Sequence, residues 1–229
     1  MSIDLNFLAR EAKVPEHSPW LMSSLSGGEP LVIGPWLFYA GSDWLMGIGY
    51  PLYKSETTFS RAFDEAAERT GAVNLFAIAP GFPHKRASRV SEEDRYWALS
   101  ATVNIPNRLL NICESAARRL TVSLSDEFTA GHRRLWSEFL SRNSGRMNDR
   151  VRELYSRAPG AMRDGVLRSL DARDADGAIV ASLLIDTRPA NFVSYILGAR
   201  TVETEVSHAA ALHFSRLNEL AITENKKFI

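Results

Sequence analysis

The chain has 229 residues, of which 45% are hydrophobic, 24% charged and 10% aromatic. This composition is typical of a globular protein with a sizeable core, and it excludes disordered, collagen-like and coiled-coil chains. Basic and acidic residues both number 27, so no net charge favours nucleic acid or an anionic membrane. The single cysteine, Cys113, excludes an intrachain disulfide, and no apolar run approaches the roughly 20 residues that span a bilayer. The sequence predicts a soluble, cytoplasmic protein.

The first part of the chain reads as a small α/β unit. Extended apolar residues over 31–39 and 44–50, separated by a turn, predict two strands. Helical periodicity over 58–71 predicts a helix, and 72–79 predicts a buried strand. A further strand is expected over 96–103 and a helix over 108–120. We therefore place the domain boundary after residue 120, which gives domains of residues 1–120 and 121–229.

The second part alternates helices and strands in a fixed order. Apolar spacing after Ser125-Asp126 predicts one amphipathic helix, and a second is expected over 148–157, ending before Pro159-Gly160. Residues 166–172 and 178–185 flank an Asp176-Gly177 turn and predict an antiparallel hairpin. The third strand covers 191–197, the last helix 207–224, and a closing strand begins at Lys227. The fold class is α/β (α+β).

The usual catalytic motifs are missing. Gly47-x-Gly49 lacks the third glycine of a dinucleotide fingerprint, and neither a phosphate-binding Gly-Lys-Ser loop nor a Gly-x-Ser-x-Gly elbow occurs. His208 and His213 are five residues apart on the last helix, about 140° around its axis, so they do not share a cation. No metal site is expected. His132 and Cys113 both lie on apolar helix faces, which favours core positions for them.

Two local features could bind an anion. The stretch Arg142 to Arg173 holds eight arginines against four acids, which suits either phosphate groups or a solvated helix face. At the start of the last helix, Ser207 could cap free backbone N–H groups, and His208 stands beside it. A phosphate or a developing oxyanion would be stabilised there.

The second part resembles the GNAT acyltransferase superfamily, and more closely its branch of Fem-type aminoacyltransferases. The resemblance is carried by the hairpin LRSLDARDADGAIVASLLID, the strand NFVSYILGA and the pair SHAAALHFSRLNELAITENKKFI. It implies two GNAT-like mixed-sheet domains, the second incomplete at its C-terminus. It also implies that the acyl donor lies against the third strand, with its phosphates at the start of the next helix.

The segment after the third strand departs from the superfamily's pattern. The coenzyme A loop, Arg/Gln-x-x-Gly-x-Gly/Ala, is absent from residues 198–207, where Glu203 and Glu205 would repel phosphates. We therefore weigh acyl-coenzyme A against aminoacyl-tRNA as the donor and treat no cofactor as certain. The cofactor-binding residues that the resemblance implies are Gly198, Ala199, Arg200 and Ser207.

The resemblance implies an N-acyltransferase that moves an acyl or aminoacyl group from an activated donor to an amine. Such chemistry needs a deprotonated amine, oriented reactants and donors for a tetrahedral oxyanion. Tyr195 and His208 are the candidate proton-transfer groups, and Asp186 is the candidate carboxylate that orients the amine. The expected partner is a small-molecule or peptide amine, with tRNA as a further candidate and no membrane. The alternative is a non-catalytic protein that binds a ligand or partner on the same scaffold, because a fold does not fix a function.

Overall fold

The computed structural model describes residues 3–81, 95–202 and 208–229. Its internal contacts divide the chain into two compact units, Met1–Trp97 and Ala98–Ile229. The division lies 23 residues before the boundary expected from the sequence. Helix 107–117 explains the difference, because its buried Cys113 and Ala116 pack with Ala209 and Leu212 of the last helix.

The first unit is a four-stranded sheet with helices. Its strands follow the order β1-β2-β3-β4, in which β1, β2 and β3 are antiparallel and β4 is parallel to β3. The elements are α1 (Leu5–Glu11), α2 (Pro19–Ser26), β1 (Glu29–Ile33), β2 (Trp36–Ala40), β3 (Trp44–Ile48), α3 (Phe59–Thr70) and β4 (Asn74–Ile78).

Two predictions for this unit are wrong. The extended run 31–39 is not one strand, because the chain reverses at Gly34, whose φ of +57° suits glycine, and forms the β1–β2 hairpin. The strand at 74–78 is not buried, and Phe76 is 49% exposed. The helix over 58–71 is confirmed: Thr58 caps its start and Gly71 ends it in the left-handed conformation.

Glycines in β3 and directly after it allow close packing in this unit. A Cβ at Gly47 would lie 2.7 Å from the ring of Phe63 on α3, and one at Gly49 would lie 2.4 Å from the Cβ of Ala79. Phe63 in turn packs edge-on against Phe38 of β2, with ring centroids 5.7 Å apart. The Gly47-x-Gly49 pair therefore lets α3 and the chain after β4 approach the sheet closely.

The second unit is an antiparallel sheet in the order β5-β6-β7-β8, with helices on both faces. Helices α4 and α7 pack on the face that holds Leu170, Ala172, Ala181 and Leu183. The elements are α4 (Asn107–Ala117), β5 (Thr121–Ser125), α5 (Ala130–Arg142), α6 (Asp149–Arg163), β6 (Arg168–Arg173), β7 (Ile179–Asp186), β8 (Ser194–Arg200) and α7 (Ala209–Thr223).

The hairpin predicted around Asp176-Gly177 is confirmed as β6 and β7, and Gly177 has a φ of +79°. The strand predicted over 96–103 is wrong: Ser100 forms an isolated bridge with Phe228, within a short contact to the last residues of the chain. The helix expected to end before Pro159 continues through it to Arg163. The two-unit α/β architecture matches the predicted fold class.

Acid should destabilise the protein through buried histidines. His17 is buried, its Nδ1 accepts the Lys13 N–H at 3.2 Å, and its Nε2 donates to the Tyr50 carbonyl at 2.9 Å. Burial lowers the pKa of His17 to about 4, and burial also lowers the pKa of His213 to about 4. The unfolded chain, with histidine pKa near 6.5, therefore takes up protons first as the pH falls.

We expect the free energy of unfolding to be highest above pH 6.5 and to fall as the pH drops towards 4, by up to about 1.4 kcal/mol per pH unit for each group. Urea unfolding at pH 7 and pH 5 measures the fall. His17→Gln keeps a donor but does not titrate, so its fall between the two pH values should be smaller than that of the wild type. An equal fall in both proteins would contradict the assignment to His17.

Candidate functional site

Strand β8 provides an open backbone edge in the second unit. It is the last strand of its sheet, and no strand pairs with the outer edge of 194–200 among the residues that the structure describes. The pairing Leu184 to Leu197 is followed by Ile185 to Tyr195, so Ile196 has no partner and forms a bulge. A bulge bends a strand and re-aims the side chains beside it.

Two phenols converge on Gly198 in this strand. Tyr155 of α6 donates its hydroxyl hydrogen to the Gly198 carbonyl at 2.5 Å. The hydroxyl of Tyr195 lies over the same glycine, 3.1 Å from where a Cβ would stand. A larger residue at this position would press on Tyr195, so Gly198 makes room for the phenol.

Both phenols keep their protons over the physiological range. Burial raises the pKa of Tyr155 to about 12, with a further contribution from the neighbouring Tyr195. Burial also raises the pKa of Tyr195. Tyr195 is nevertheless 50% exposed, so it can meet a ligand, whereas the hydroxyl of Tyr155 is engaged with the strand. Both hydroxyls are therefore protonated hydrogen-bond donors in the resting protein.

A second side chain binds the same edge. Arg142, at the end of α5, donates to the Arg200 carbonyl at 2.6 Å and lies over the ring of Phe139. Residues two apart in a strand direct their N–H and C=O groups to the same side. The amide hydrogens of Gly198 and Arg200 therefore lie on the outer edge beside the two occupied carbonyls. Such an edge can bind an acyl carbonyl or its oxyanion through backbone N–H groups.

A buried polar cluster holds α5 against the sheet. His132 Nδ1 accepts the Thr129 N–H at 3.1 Å, so this nitrogen carries no proton and Nε2–H donates to Asp171 at 2.9 Å. Asp171 also accepts from Ser169 at 2.5 Å, and Ser169 bonds Ser182 at 2.8 Å. The expectation that His132 is a hydrogen-bonded core histidine is confirmed.

The structure does not gather all of the residues proposed from the sequence. Gly198, Arg200 and Tyr195 lie together on β8, whereas Ala199 is buried. Asp186 pairs with Ser194 at the opposite end of the strand, where it is buried and accepts the Arg188 N–H at 2.9 Å. These positions leave the predicted roles open.

The described residues at the start of the last helix show no side-chain cap. His208 precedes α7, and its carbonyl accepts the Leu212 N–H at 3.1 Å, but its side chain does not cap the helix. Ser207, Glu203 and Glu205 lie outside the described residues. The predicted cap and the predicted repulsion of phosphates therefore stay predictions.

Tyr155 and Arg142 were missed by the sequence analysis. Both belong to the arginine-rich stretch that was considered for anion binding, and there they resemble solvated helix residues. One signal was available for Tyr155: Pro159 follows four positions later and cannot donate the helical bond to the Tyr155 carbonyl. This spacing marks the segment as irregular, but it does not indicate where the phenol points.

No family model matches the chain, and a comparison with curated proteins finds no significant match. Solved structures do match. L-PGS from Bacillus licheniformis is 15% identical, with 91% of this chain and 71% of that one covered and a TM-score of 0.57. The C-terminal domain of a putative lysylphosphatidylglycerol synthetase from Agrobacterium fabrum is 13% identical, covering 98% and 75%, with a TM-score of 0.60. A conserved protein of unknown function from Bacteroides thetaiotaomicron is 15% identical, covering 93% and 77%, with a TM-score of 0.53.

These likenesses establish that the chain shares the fold of such domains. They also correct one expectation. The name lysylphosphatidylglycerol synthetase states a phospholipid product, so the acceptor of a protein so named is a lipid. The expected small-molecule or peptide amine acceptor, with no membrane partner, is therefore wrong. In the described ranges, no helix is long and apolar enough to cross a bilayer.

Replacing Gly198 tests the placement of Tyr195. Gly198→Ala puts a methyl group 3.1 Å from the Tyr195 hydroxyl and 3.4 Å from the Ser182 carbonyl. We expect the phenol to move by a few tenths of an ångström and the free energy of unfolding to change by less than about 1 kcal/mol, because Tyr195 is half exposed.

Crystal structures and thermal unfolding of the variant check both expectations. Gly145→Ala is the control, since a Cβ there meets nothing within 4 Å. An unmoved Tyr195 in Gly198→Ala would contradict the close approach described above.

Proposed function

We propose that this protein is an aminoacyltransferase that moves an aminoacyl group from aminoacyl-tRNA to a hydroxyl of a phospholipid headgroup. The observation that carries the proposal is the likeness to synthetase domains over more than nine-tenths of the chain. The open edge of β8, with its two protonated phenols, supplies a site whose chemistry agrees with this reaction. We further propose that the second unit is a GNAT-like domain of the Fem-type branch.

The reaction exchanges one ester for another. The acceptor hydroxyl oxygen forms a bond to the aminoacyl carbonyl carbon, and the bond from that carbon to the ribose oxygen of the tRNA breaks. Outer-edge N–H groups of Gly198 and Arg200 would donate to the tetrahedral oxyanion. Tyr195 would pass its proton to the leaving ribose oxygen while it receives the proton of the acceptor hydroxyl. The proton count balances, and no redox partner is needed.

Tyr155 has a positioning role in this proposal. Its hydroxyl donates to the Gly198 carbonyl, which lies on the same strand edge as the N–H group proposed to meet the substrate. It packs edge-on against Trp136 of α5, with ring centroids 5.0 Å apart, which fixes the phenol against β8. The bond therefore holds the strand edge at a set distance from α6.

The cationic surface at the start of α6 and in the turn before it is proposed to meet the tRNA. Arg146 and Arg152 are exposed, and the side chain of Arg150, between them, is outside what the structure describes. Guanidinium groups suit phosphates because of their planar, forked donors. An aminoacyl-tRNA donor is favoured over acyl-coenzyme A because the sequence lacks the coenzyme A loop at 198–207.

Loss of a phenol should slow the transfer. Purified protein is incubated with aminoacyl-tRNA and phosphatidylglycerol, and labelled amino acid in the lipid fraction is counted. We expect Tyr195→Phe to lower kcat about 100-fold with little change in KM, because a proton-transfer group acts only in the transition state.

Tyr155→Phe should lower kcat about tenfold, the size expected for a misplaced strand edge. Tyr53→Phe, at an exposed tyrosine of the first unit, is the matched control and should act as the wild type. A wild-type kcat in both test variants would remove the phenols from the mechanism, and absence of lipid labelling with every aminoacyl-tRNA would overturn the proposed function.

Salt dependence tests the donor. Each phosphate contact releases condensed counterions and gives a slope of log affinity against log salt near −0.7 to −0.9. A variant with Arg146, Arg150 and Arg152 changed to Gln should therefore bind tRNA with a flatter slope in filter-binding assays.

The control variant carries Arg10, Arg61 and Arg69 changed to Gln, with the same change in charge, and should keep the wild-type slope. Equal slopes in all three proteins would place the tRNA elsewhere. A dissociation constant for acetyl-coenzyme A in the low micromolar range by calorimetry would favour the thioester donor instead.

A further inference from the structure

The side of the second sheet that α7 covers carries an exposed strip beside the candidate site. Arg200 pairs with Ala181, and Gly198 pairs with Leu183. Paired residues point to the same face of a sheet, and Ala181 and Leu183 belong to the apolar clusters under α7. The exposed side chain of Arg200 therefore lies on the α7 face, about 7 Å along β8 from Gly198.

Aromatic contacts continue this strip onto the helix. The Tyr195 hydroxyl lies over Gly198, and the Tyr195 ring meets Phe214 of α7 edge-on, with centroids 6.1 Å apart at 84°. Phe214 is 45% exposed, although it is a large apolar side chain. The charged Arg200 and the apolar Phe214 thus both lie near Tyr195, the phenol that is proposed to transfer the proton.

The apolar part extends along the helix. Ile222 lies eight residues after Phe214, two turns along α7 and about 80° around its axis, and is 53% exposed. The helical rise puts these two side chains about 12 Å apart along the axis. We define the α7 strip as Arg200, Tyr195, Phe214 and Ile222, in that order.

We propose that the α7 strip binds a single anionic phospholipid, with its phosphate at Arg200 and its hydrocarbon chain along Phe214 and Ile222. The proposal rests on the proposed function and names where its acceptor lies. The cation at one end complements the phosphate, and the apolar end gains from removal of hydrocarbon from water. A headgroup hydroxyl next to the phosphate then reaches the Tyr195 hydroxyl.

The strip has a charged end and an apolar end, and these determine the orientation of the bound lipid. Arg200 and Tyr195 are at the end nearest the open edge of β8, where the aminoacyl group would be held. The apolar residues lead away from that edge. A lipid bound with its chain at Arg200 would bury a guanidinium against hydrocarbon, which is costly.

Binding is measured without any transfer reaction, so its result is independent of the proposed function. The probes are dihexanoylphosphatidylglycerol below its micelle concentration, the dihexanoyl phosphatidylcholine analogue, and glycerophosphoglycerol without chains. A diazirine-bearing acyl chain on the first probe then reports the contacted peptide by mass spectrometry. We expect the photolabel within 209–223 and a preference for phosphatidylglycerol over phosphatidylcholine.

Two variants separate the ends of the strip. Phe214→Ser with Ile222→Ser should weaken binding of the short-chain lipid at least tenfold and remove the photolabel from α7. Arg200→Gln should weaken phosphatidylglycerol about fivefold and abolish its preference over phosphatidylcholine. Val73→Ser with Phe76→Ser is the matched control, because both side chains are exposed in β4 or beside it in the first unit. It should leave binding unchanged.

Three other outcomes overturn the proposal, and a fourth separates it from the proposed function. Binding of vesicles but not of monomeric lipid would make the strip a membrane contact. A dimer in sedimentation that is lost in Phe214→Ser with Ile222→Ser would assign the strip to a second copy of the chain. Lipid transfer at the wild-type rate in these variants would keep the proposed function and place the acceptor elsewhere, whereas strip binding without any transfer would support the site and overturn the function.

Discussion

The buried carboxylate of Asp171 is the constraint on which the second unit depends. It is fully buried and accepts hydrogen bonds from His132 and Ser169, with Arg173 at 3.3 Å from its other oxygen. A buried charge without such donors would be strongly unfavourable. Because His132 also closes the capping box at the start of α5, the carboxylate fixes both where that helix begins and which of its faces meets the sheet.

The position of α5 then determines the edge of β8. Its Trp136 packs on Tyr155 of α6, and its last residue, Arg142, binds the Arg200 carbonyl. These contacts occupy carbonyl oxygens of an edge strand and leave amide hydrogens of the same residues on the outer side. An edge strand with free N–H donors is prone to pair with another chain unless a bulge, a charged side chain or a covering segment prevents it. Here the bulge at Ile196 interrupts the regular strand, and the side chains of Tyr155 and Arg142 bond to two of its carbonyls.

The sequence predicted elements whose signals are local. Thr58 and Gly71 delimit α3, and Asp176-Gly177 closes the β6–β7 hairpin, because capping and turn chemistry depend on residues a few positions apart. Gly34 was misread, since a glycine inside an apolar run is also compatible with an unbroken strand. No local sequence pattern predicts the bulge at Ile196. It depends on pairing with β7, and so does the approach of Tyr155 to Gly198.

The candidate site is less predictable than the fold because it depends on contacts across the sequence. The bond from Tyr155 to Gly198 spans 43 residues, and the one from His132 to Asp171 spans 39. At 13–15% identity to the synthetase domains, the fold is retained through the periodicity and turn chemistry that many sequences satisfy. A site of this kind needs particular side chains at particular distances, so a shared fold does not determine what the edge of β8 binds. The chemistry of the edge therefore has to come from this chain's own phenols and guanidinium groups.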